Sequence, residues 1–253
     1  MAERTNLIKK DKNDQIFDLY DSLIKDIKDE LSDESCPLDS SVKEALLENL
    51  TRKLVKKIFM PIVYGKTQHA AAADIYEELS FILLKNECYK VAAYLFEIWH
   101  SKNPTIVGLM SLFNQIGWFA SYLGRPVRYD SYFVQTIQDY TVHNPIHVAL
   151  YDKKKKKRHK VTLSVPTTQR NKTKSMRATF ANCIHQFYST ISCLVTAFVK
   201  VDPYYYFPLY TVHDNFLTNA VNASKIPTYY VYAFIKLLDP LFIVNRMLYQ
   251  KYY

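Results

Sequence analysis

The chain has 253 residues, a formal net charge of +9 at pH 7 and a sequence pI near 9.1. This length allows one large domain or two small ones, and the positive charge favours a polyanionic partner because Lys and Arg attract phosphates. The 49% content of hydrophobic residues, with 21 tyrosines, excludes a disordered basic tail.

The first predicted element is an amphipathic helix from Asp14 to Leu31, where apolar residues recur at helical spacing. A polar stretch up to Asp39 ends it. Ser41 and Glu44 form a candidate capping box for a second helix, which Pro61 is expected to kink or end.

Two further helices are predicted at Ala70 to Leu84 and at Cys88 to Trp99, joined by a short charged turn at Lys85 to Glu87. From Trp118 the pattern changes to short Tyr- and Val-rich segments broken by Gly and Pro. Such a pattern favours strands and loops. The chain is therefore expected to be α+β, with its helices concentrated in the first half.

A β-hairpin is predicted from His147 to Tyr151 and from Lys160 to Val165, with the basic run Lys153 to Arg158 at its tip. A solvated tip that contacts a nucleic-acid backbone fits this position. The alternative is a nuclear localisation signal. A helix from about Thr179 to Val199 follows.

Near the C-terminus, aromatic residues flank Val212-His213-Asp214-Asn215, which predicts a strand, a turn and a second strand. A last helix is predicted from about Pro227, ending or kinking at Pro240. The longest apolar run, Ile191 to Val199, is about half of what a spanning helix needs, so no membrane association is expected.

The four cysteines are too far apart for a zinc knuckle or a redox motif and are expected to be reduced. They are Cys36, Cys88, Cys183 and Cys193. The N-terminus resembles neither a signal segment nor an import peptide, so a protein working in an organelle would be expected to be made there.

The segment from Arg52 to Gly65 reads Arg-Lys-Leu-Val-Lys-Lys-Ile-Phe-Met-Pro-Ile-Val-Tyr-Gly. On a helix, its residues Arg52, Lys56, Met60 and Tyr64 would share one face at steps of four. Two cations and an aromatic ring in one groove suit a nucleoside triphosphate. The alternative interpretation is a solvated basic helix face.

The second candidate is Asp214, with His213 before it. A carboxylate at a strand turn can bind Mg²⁺, which activates an attacking hydroxyl and stabilises leaving oxygens in a two-metal displacement. The alternative is a turn aspartate beside a packed histidine.

Together these segments resemble motifs B and C of single-subunit, bacteriophage-type RNA polymerases and the related family A DNA polymerases. Met60 stands where the DNA polymerases usually have Phe, and Asn215 where they usually have Glu. The resemblance therefore favours DNA-dependent RNA polymerases, especially those of mitochondria and linear plasmids.

The resemblance extends between the two motifs. The similar segments are Thr5–Ile8, Gln15–Tyr20, Trp118 with Gly124–Val127, Lys160–Pro166 and Ala178–His185. It implies the right-hand polymerase fold, with mostly helical fingers over about residues 1–117. The rest of the fingers and a palm with a small antiparallel sheet would follow in about residues 118–253.

The resemblance also implies roles for individual residues. Lys56 and Arg52 would hold the triphosphate of a ribonucleotide, while Lys57, Met60 and Gly65 shape the same groove. Tyr64 would close over the nucleotide and help to select ribose.

His185 matches the family histidine that senses the ribose 2′-hydroxyl, and its alternative is a core histidine on a helix. Asp214 would ligate the metals, and His213 would orient that turn.

The implied activity is template-directed ribonucleotidyl transfer to an RNA 3′-hydroxyl with Mg²⁺, using a DNA template and ribonucleoside triphosphates, and a mitochondrial location is implied with it. The family places its first metal-binding aspartate shortly before the Thr5 segment, and four residues without an Asp precede Thr5 here. The family's N-terminal domain and thumb are also expected to be absent.

A separate N-terminal polymerase segment is therefore an expected partner. After His185 the family usually continues Ser-x-Asp-Ala, whereas this chain has Gln186-Phe187-Tyr188-Ser189. The alternative function is a non-catalytic nucleic-acid-binding remnant of such a polymerase.

Overall fold

The computed structural model describes residues 18–131, 133–202, 204, 206–212, 215–237 and 240–249. Two compact units divide the chain, the first formed by Met1–Met110 with Ile191–Leu237 and the second by Ser111–Thr190 with Leu238–Tyr253. The described residues form helices and small two-stranded antiparallel sheets, which confirms the predicted α+β class.

The helices of the described residues are α1 (Leu19–Ser32), α2 (Ser40–Asn49), α3 (Arg52–Phe59), α4 (Gln68–Leu79), α5 (Lys85–Lys102), α6 (Pro104–Tyr122), α7 (Lys172–Val201), α8 (Ala220–Ala223), α9 (Ile226–Lys236) and α10 (Pro240–Tyr249). The strands are β1 (Val127–Asp130), β2 (Gln135–Gln138), β3 (Thr141–Asp152), β4 (Lys157–Arg170), β5 (Tyr210–Val212) and β6 (Asn215–Leu217). They pair as β1 with β2, β3 with β4 and β5 with β6.

The first predicted helix is confirmed from Leu19 onward, and residues 14–17 lie outside the described part. Asp18 caps α1, since its Oδ1 accepts a hydrogen bond from the Tyr20 backbone N–H at 2.8 Å. The buried stripe of α1, formed by Leu23, Ile27 and Leu31, packs into the core of the first unit.

The single second helix was a wrong prediction, because two helices replace it. Thr51 starts α3 by accepting a hydrogen bond from the Leu54 backbone N–H on its Oγ1 at 3.2 Å. The predicted Ser41–Glu44 capping box is also wrong, since Asp39 occupies the cap position of α2.

Pro61 acts as predicted. The helix α3 ends at Phe59, and a 3-10 turn from Met60 to Tyr64 follows it. A proline cannot donate the backbone hydrogen bond that a continuing α-helix would need.

Two boundaries in the middle of the chain were predicted wrongly. Lys85 to Glu87 form the first turn of α5 rather than a loop, because the Glu87 carboxylate accepts a hydrogen bond from the Leu84 backbone N–H at 2.7 Å. Trp118, where strands were expected to begin, still belongs to α6.

The helix α6 passes very close to α7 at Gly117. A Cβ atom at this position would lie 2.3 Å from Thr179 Oγ1 and 2.6 Å from the Ser175 carbonyl oxygen. Only glycine permits this close approach of the two helices. The same part of α7 takes part in buried hydrogen bonds of the second unit, because Gln138 Nε2 donates to Ser175 O and to Thr179 Oγ1.

The predicted hairpin is confirmed and is longer than expected, with Pro145 and Pro166 inside its strands. Each strand of a two-stranded ribbon has one unpaired edge, so a missing proline N–H need not remove a ladder bond. The basic run lies at the tip, as predicted, where Lys156 adopts a φ of 49°.

Directly paired residues of a ribbon share a face. One face of β3 and β4 is apolar, with Ile146 opposite Leu163 and Val148 opposite Val161. Most of these side chains are exposed to solvent. The opposite face is polar, and there His147 Nδ1 lies 3.0 Å from Thr162 Oγ1.

The helix predicted from Thr179 starts earlier, at Lys172, and the predicted strand pair near the C-terminus is confirmed as β5 and β6. The last predicted helix ends before Pro240 as expected, and α10 begins at that residue. Within the described ranges, no helix combines the length and the apolar character needed to cross a bilayer.

Candidate functional site

The segment formed by α3 and the following 3-10 turn carries the predicted nucleotide-binding residues. Arg52, Lys56, Met60 and Tyr64 are all exposed, while the intervening apolar side chains are buried. The prediction that one continuous helix would align them is wrong for Met60 and Tyr64, which lie in the 3-10 turn. The change in backbone still leaves all four side chains accessible to a ligand.

Arg52 is held by Asp18. The Asp18 Oδ2 atom accepts hydrogen bonds from Arg52 Nε at 2.9 Å and from Nη2 at 2.6 Å. The guanidinium carbon also lies 5.2 Å from the centre of the Tyr20 ring. The Arg52 hydrogen bond is the largest cause that lowers the pKa of Asp18 below its usual value. Arg52 is thus fixed in position by the first turn of α1.

Two lysines of α3 are paired with acids on α4. Lys57 Nζ lies 2.7 Å from a Glu77 carboxylate oxygen and 3.2 Å from Glu78, and Lys53 lies 3.3 Å from Glu78. The hydrogen bond to Glu77, followed by that to Glu78, raises the pKa of Lys57. These two lysines therefore join α3 to α4.

Lys56 differs from its neighbours. Across the described ranges it forms no ion pair, whereas the other cations of α3 each have a carboxylate partner. Its side chain is exposed, as is that of Tyr64. An uncompensated ammonium group is free to bind an anion without first breaking an internal contact.

The end of the segment is fixed by Gly65 and Lys66. Gly65 has a φ of 83°, a left-handed conformation that favours glycine, and its N–H donates to Ile62 O at 2.9 Å. Lys66 Nζ donates to the Lys57 carbonyl oxygen at 2.7 Å and also pairs with Asp74. The sequence patterns had not identified Lys66, since its partners come from tertiary structure.

His185 lies on α7 in the second unit and is exposed, so the alternative of a core histidine is wrong. It lines a cavity of about 470 Å³ together with Gln138, Asp139 and Asn182. Asn182 Nδ2 donates to Gln138 Oε1 at 3.0 Å and to the Tyr140 hydroxyl at 3.1 Å. Sequence reasoning had identified His185 but none of these polar neighbours.

His213 and Asp214 lie outside the described residues. They are the two residues that connect β5 and β6 in the sequence, and the flanking Val212 and Asn215 are paired across the strands. Among the residues with described positions, no three His, Cys, Asp or Glu side chains gather as a metal site.

Comparison with known proteins agrees with the family resemblance seen in the sequence. The family model of DNA-dependent RNA polymerase matches residues 1–250. The chain is 28% identical to a probable DNA-directed RNA polymerase of Zea mays, over 97% of this chain and 24% of the relative.

A second probable DNA-directed RNA polymerase, from Neurospora crassa, is 26% identical over 94% of this chain and 29% of its own length. The chain thus spans about a quarter of the length of the curated relatives it matches.

Proposed function

The chain belongs to the family of single-subunit DNA-dependent RNA polymerases, and we propose that it serves in template-directed transfer of ribonucleotides to an RNA 3′-hydroxyl. The observation that carries the proposal is the exposed segment from Arg52 to Tyr64, with the uncompensated Lys56 at its centre. The DNA template, the RNA product and ribonucleoside triphosphates are the proposed ligands.

Lys56 is the proposed main contact to the triphosphate, and Arg52 the second. An ammonium group without an internal partner gains a full charge-assisted interaction with phosphate. Arg52 still has its Nη1 group for a phosphate, because its hydrogen bonds to Asp18 use Nε and Nη2. Lys57 would shape the groove by joining α3 to α4, and Gly65 by fixing the end of the segment.

Tyr64 and Met60 would contact the base and ribose, and His185 would sense the 2′-hydroxyl. The exposure of each of these side chains supports the proposal, since a buried side chain could not reach a nucleotide. Residues 1–117 are proposed as fingers, and residues 118–253 as the rest of the fingers and the palm.

Asp214 is the proposed metal ligand, with His213 as the residue that orients it and Mg²⁺ as the metal. Its support is the position in the sequence between β5 and β6. Because a single carboxylate holds two metal ions poorly, a separate N-terminal polymerase segment is proposed to supply the remaining ligands. Mitochondrial or plasmid transcription is the proposed setting.

The first test is binding of a ribonucleoside triphosphate to the purified chain. Lys56→Ala should weaken binding by roughly tenfold or more, as expected for a lost charge-assisted contact. Lys53→Ala is the matched control, because Lys53 lies on the same helix but is paired with Glu78. Equal affinities for the two variants would contradict the assignment.

The second candidate function, nucleic-acid binding without catalysis, is favoured by the exposed lysines at the hairpin tip. RNA-primed extension on a DNA template separates the two, with the chain supplied alone and with the proposed N-terminal segment. In a polymerase, Asp214→Ala abolishes extension and leaves nucleic-acid binding largely intact. In a binding remnant, wild type and variant bind equally and neither extends the primer.

A further inference from the structure

Two aromatic rings are stacked on the surface of the second unit. Trp118 and Tyr122, one turn apart on α6, have ring centres 5.2 Å apart and planes inclined by 12°. Trp118 is 44% exposed and Tyr122 is 59% exposed. A parallel aromatic pair on the surface offers a flat apolar face on which another planar ring can stack.

A cation completes this surface. Lys172 Nζ, in the first turn of α7, lies 4.7 Å from the centre of the Tyr122 ring. Lys172 is exposed and pairs with no carboxylate in the part of the chain with described positions. Neither α6 nor α7 contains an Asp or a Glu. The charge here is therefore positive and uncompensated by these two helices.

A cavity of about 590 Å³ opens beside the aromatic pair, next to the point where α6 crosses α7. Trp118 and Phe119 form an aromatic wall, and Met176, one turn after Lys172, lies on the α7 side. Asn114 and Gln115 add amide groups that can donate and accept hydrogen bonds. Such a cavity accepts a flat apolar ring with polar edges.

We propose that Trp118, Tyr122 and Lys172 bind an unpaired nucleotide of a single-stranded nucleic acid. The base stacks on Trp118 at the cavity, and the adjoining phosphate pairs with Lys172. Proteins that hold single strands combine aromatic platforms with cations in this way, and the affinity depends strongly on salt. Only the identity of the strand, as template or transcript, rests on the proposed polymerase function.

The positive charge favours a nucleic acid over an apolar protein segment, which is the other class of partner that could fill the cavity. An apolar segment would gain nothing from Lys172, and stacking on Trp118 would not be required for it. The two partners can be separated by replacing the ring and the charge independently.

The test is fluorescence anisotropy of labelled, unstructured oligothymidylate and oligouridylate with the purified chain. Trp118→Ala should weaken binding by roughly tenfold. Trp118→Phe should retain most of the affinity because a ring remains, and Lys172→Gln should weaken binding severalfold at low salt. Phe81→Ala and Lys200→Gln are the controls, since Phe81 is an exposed aromatic elsewhere and Lys200 an exposed lysine at the other end of α7.

Trp118 also reports directly on a stacked base. The other tryptophan, Trp99, is only 6% exposed, so quenching of tryptophan emission by an oligonucleotide should come from Trp118 and vanish in Trp118→Phe. If Lys172→Gln leaves the affinity at its wild-type value and Trp118→Phe leaves the quenching at its wild-type value, the proposal is overturned. The same holds if Trp118→Ala, once shown to be folded, binds oligonucleotides normally but loses an apolar protein partner.

The outcome is independent of catalysis. Asp214→Ala should leave oligonucleotide affinity unchanged even if it abolishes RNA synthesis. A chain that fails to extend primers even with the proposed N-terminal segment, but still shows the Trp118 and Lys172 effects, would contradict the proposed polymerase function and support the nucleotide site. A chain that extends primers but shows neither the Trp118 nor the Lys172 effect would contradict the nucleotide site alone.

Discussion

One oxygen of Asp18, Oδ2, accepts two hydrogen bonds from the Arg52 guanidinium, while its other oxygen caps the helix α1. The two residues are 34 positions apart in the sequence. Asp18 therefore couples the start of α1 to the start of α3, where the proposed triphosphate site begins.

The first prediction concerns the titration of this carboxylate. Arg52 lowers the pKa of Asp18, so the ion pair stabilises the fold above the ordinary aspartate pKa. That stabilisation is lost as the pH falls through the lowered value. Arg52→Lys should move the pKa of Asp18 back towards its usual value, because an ammonium group does not reproduce the paired guanidinium hydrogen bonds. NMR titration of the side-chain carboxyl carbon measures the change.

Asp33 provides the control for this titration. Its pKa is also lowered, chiefly by a hydrogen bond from the Ser35 backbone N–H, in which Arg52 takes no part. Arg52→Lys should leave Asp33 unchanged. An equal shift of both carboxylates would indicate a general change in the fold and would count against the Asp18–Arg52 pairing.

The second prediction separates the lysines of α3 by their effect on stability. Lys57→Ala removes the ion pairs with Glu77 and Glu78 and leaves these two neighbouring carboxylates without the Lys57 ammonium group between them. The free energy of unfolding should fall by roughly 0.2–1 kcal/mol, and the loss should shrink at high salt. Lys56→Ala removes no ion pair and should leave the free energy of unfolding unchanged. Chemical denaturation of both variants at two salt concentrations checks this.

The third prediction uses two glycines of α6. Gly117→Ala places a Cβ atom against Thr179 and a backbone carbonyl oxygen, and should lower the free energy of unfolding by about 1–3 kcal/mol or more. Gly108 has no atom within 4 Å of the new Cβ position. Gly108→Ala should raise the free energy of unfolding by about 0.5–1 kcal/mol, because alanine has the higher helix propensity. Urea unfolding of both variants measures these changes. A Gly117→Ala variant as stable as the wild type would contradict the close crossing of α6 and α7.

The fourth prediction orders the cysteines by their reactivity. Burial raises the pKa of the Cys183 thiol to about 12, and it also raises the pKa of Cys88. The thiolate is the reactive form, so both should resist alkylation in the folded protein. Cys193 is the most exposed of the four and should react first. Mass spectrometry of iodoacetamide-treated protein gives the order, and all four should react after denaturation.

The parts of the fold that depend on local pattern were predictable from the sequence. Short Tyr- and Val-rich segments on either side of the basic run identified the hairpin, and helical spacing identified α1. The break at Thr51 was not predictable from apolar spacing, which continues across it, since the cap comes from one hydroxyl group. Lys85 to Glu87 looked like a turn by composition, and a single side-chain hydrogen bond makes them helical.

For the candidate site, residue types and spacing identified Lys56 and Tyr64, and the family resemblance identified His185. Neither gave information on the partners of these residues. The ion pair of Arg52 with Asp18 and the hydrogen bonds around Asn182 join segments distant in sequence. Gly117 is a similar case, because its close approach to Thr179 joins two helices that are distant in sequence. Tertiary contacts of this kind carry no periodic signal.

The ribbon of β3 and β4 has a practical consequence for handling the protein. It presents two unpaired strand edges and one solvent-exposed apolar face, the combination that promotes intermolecular strand addition. The lysines at its tip oppose such association by mutual repulsion, which salt screens. Preparations should therefore remain monodisperse at low ionic strength and begin to aggregate through this ribbon as salt is raised.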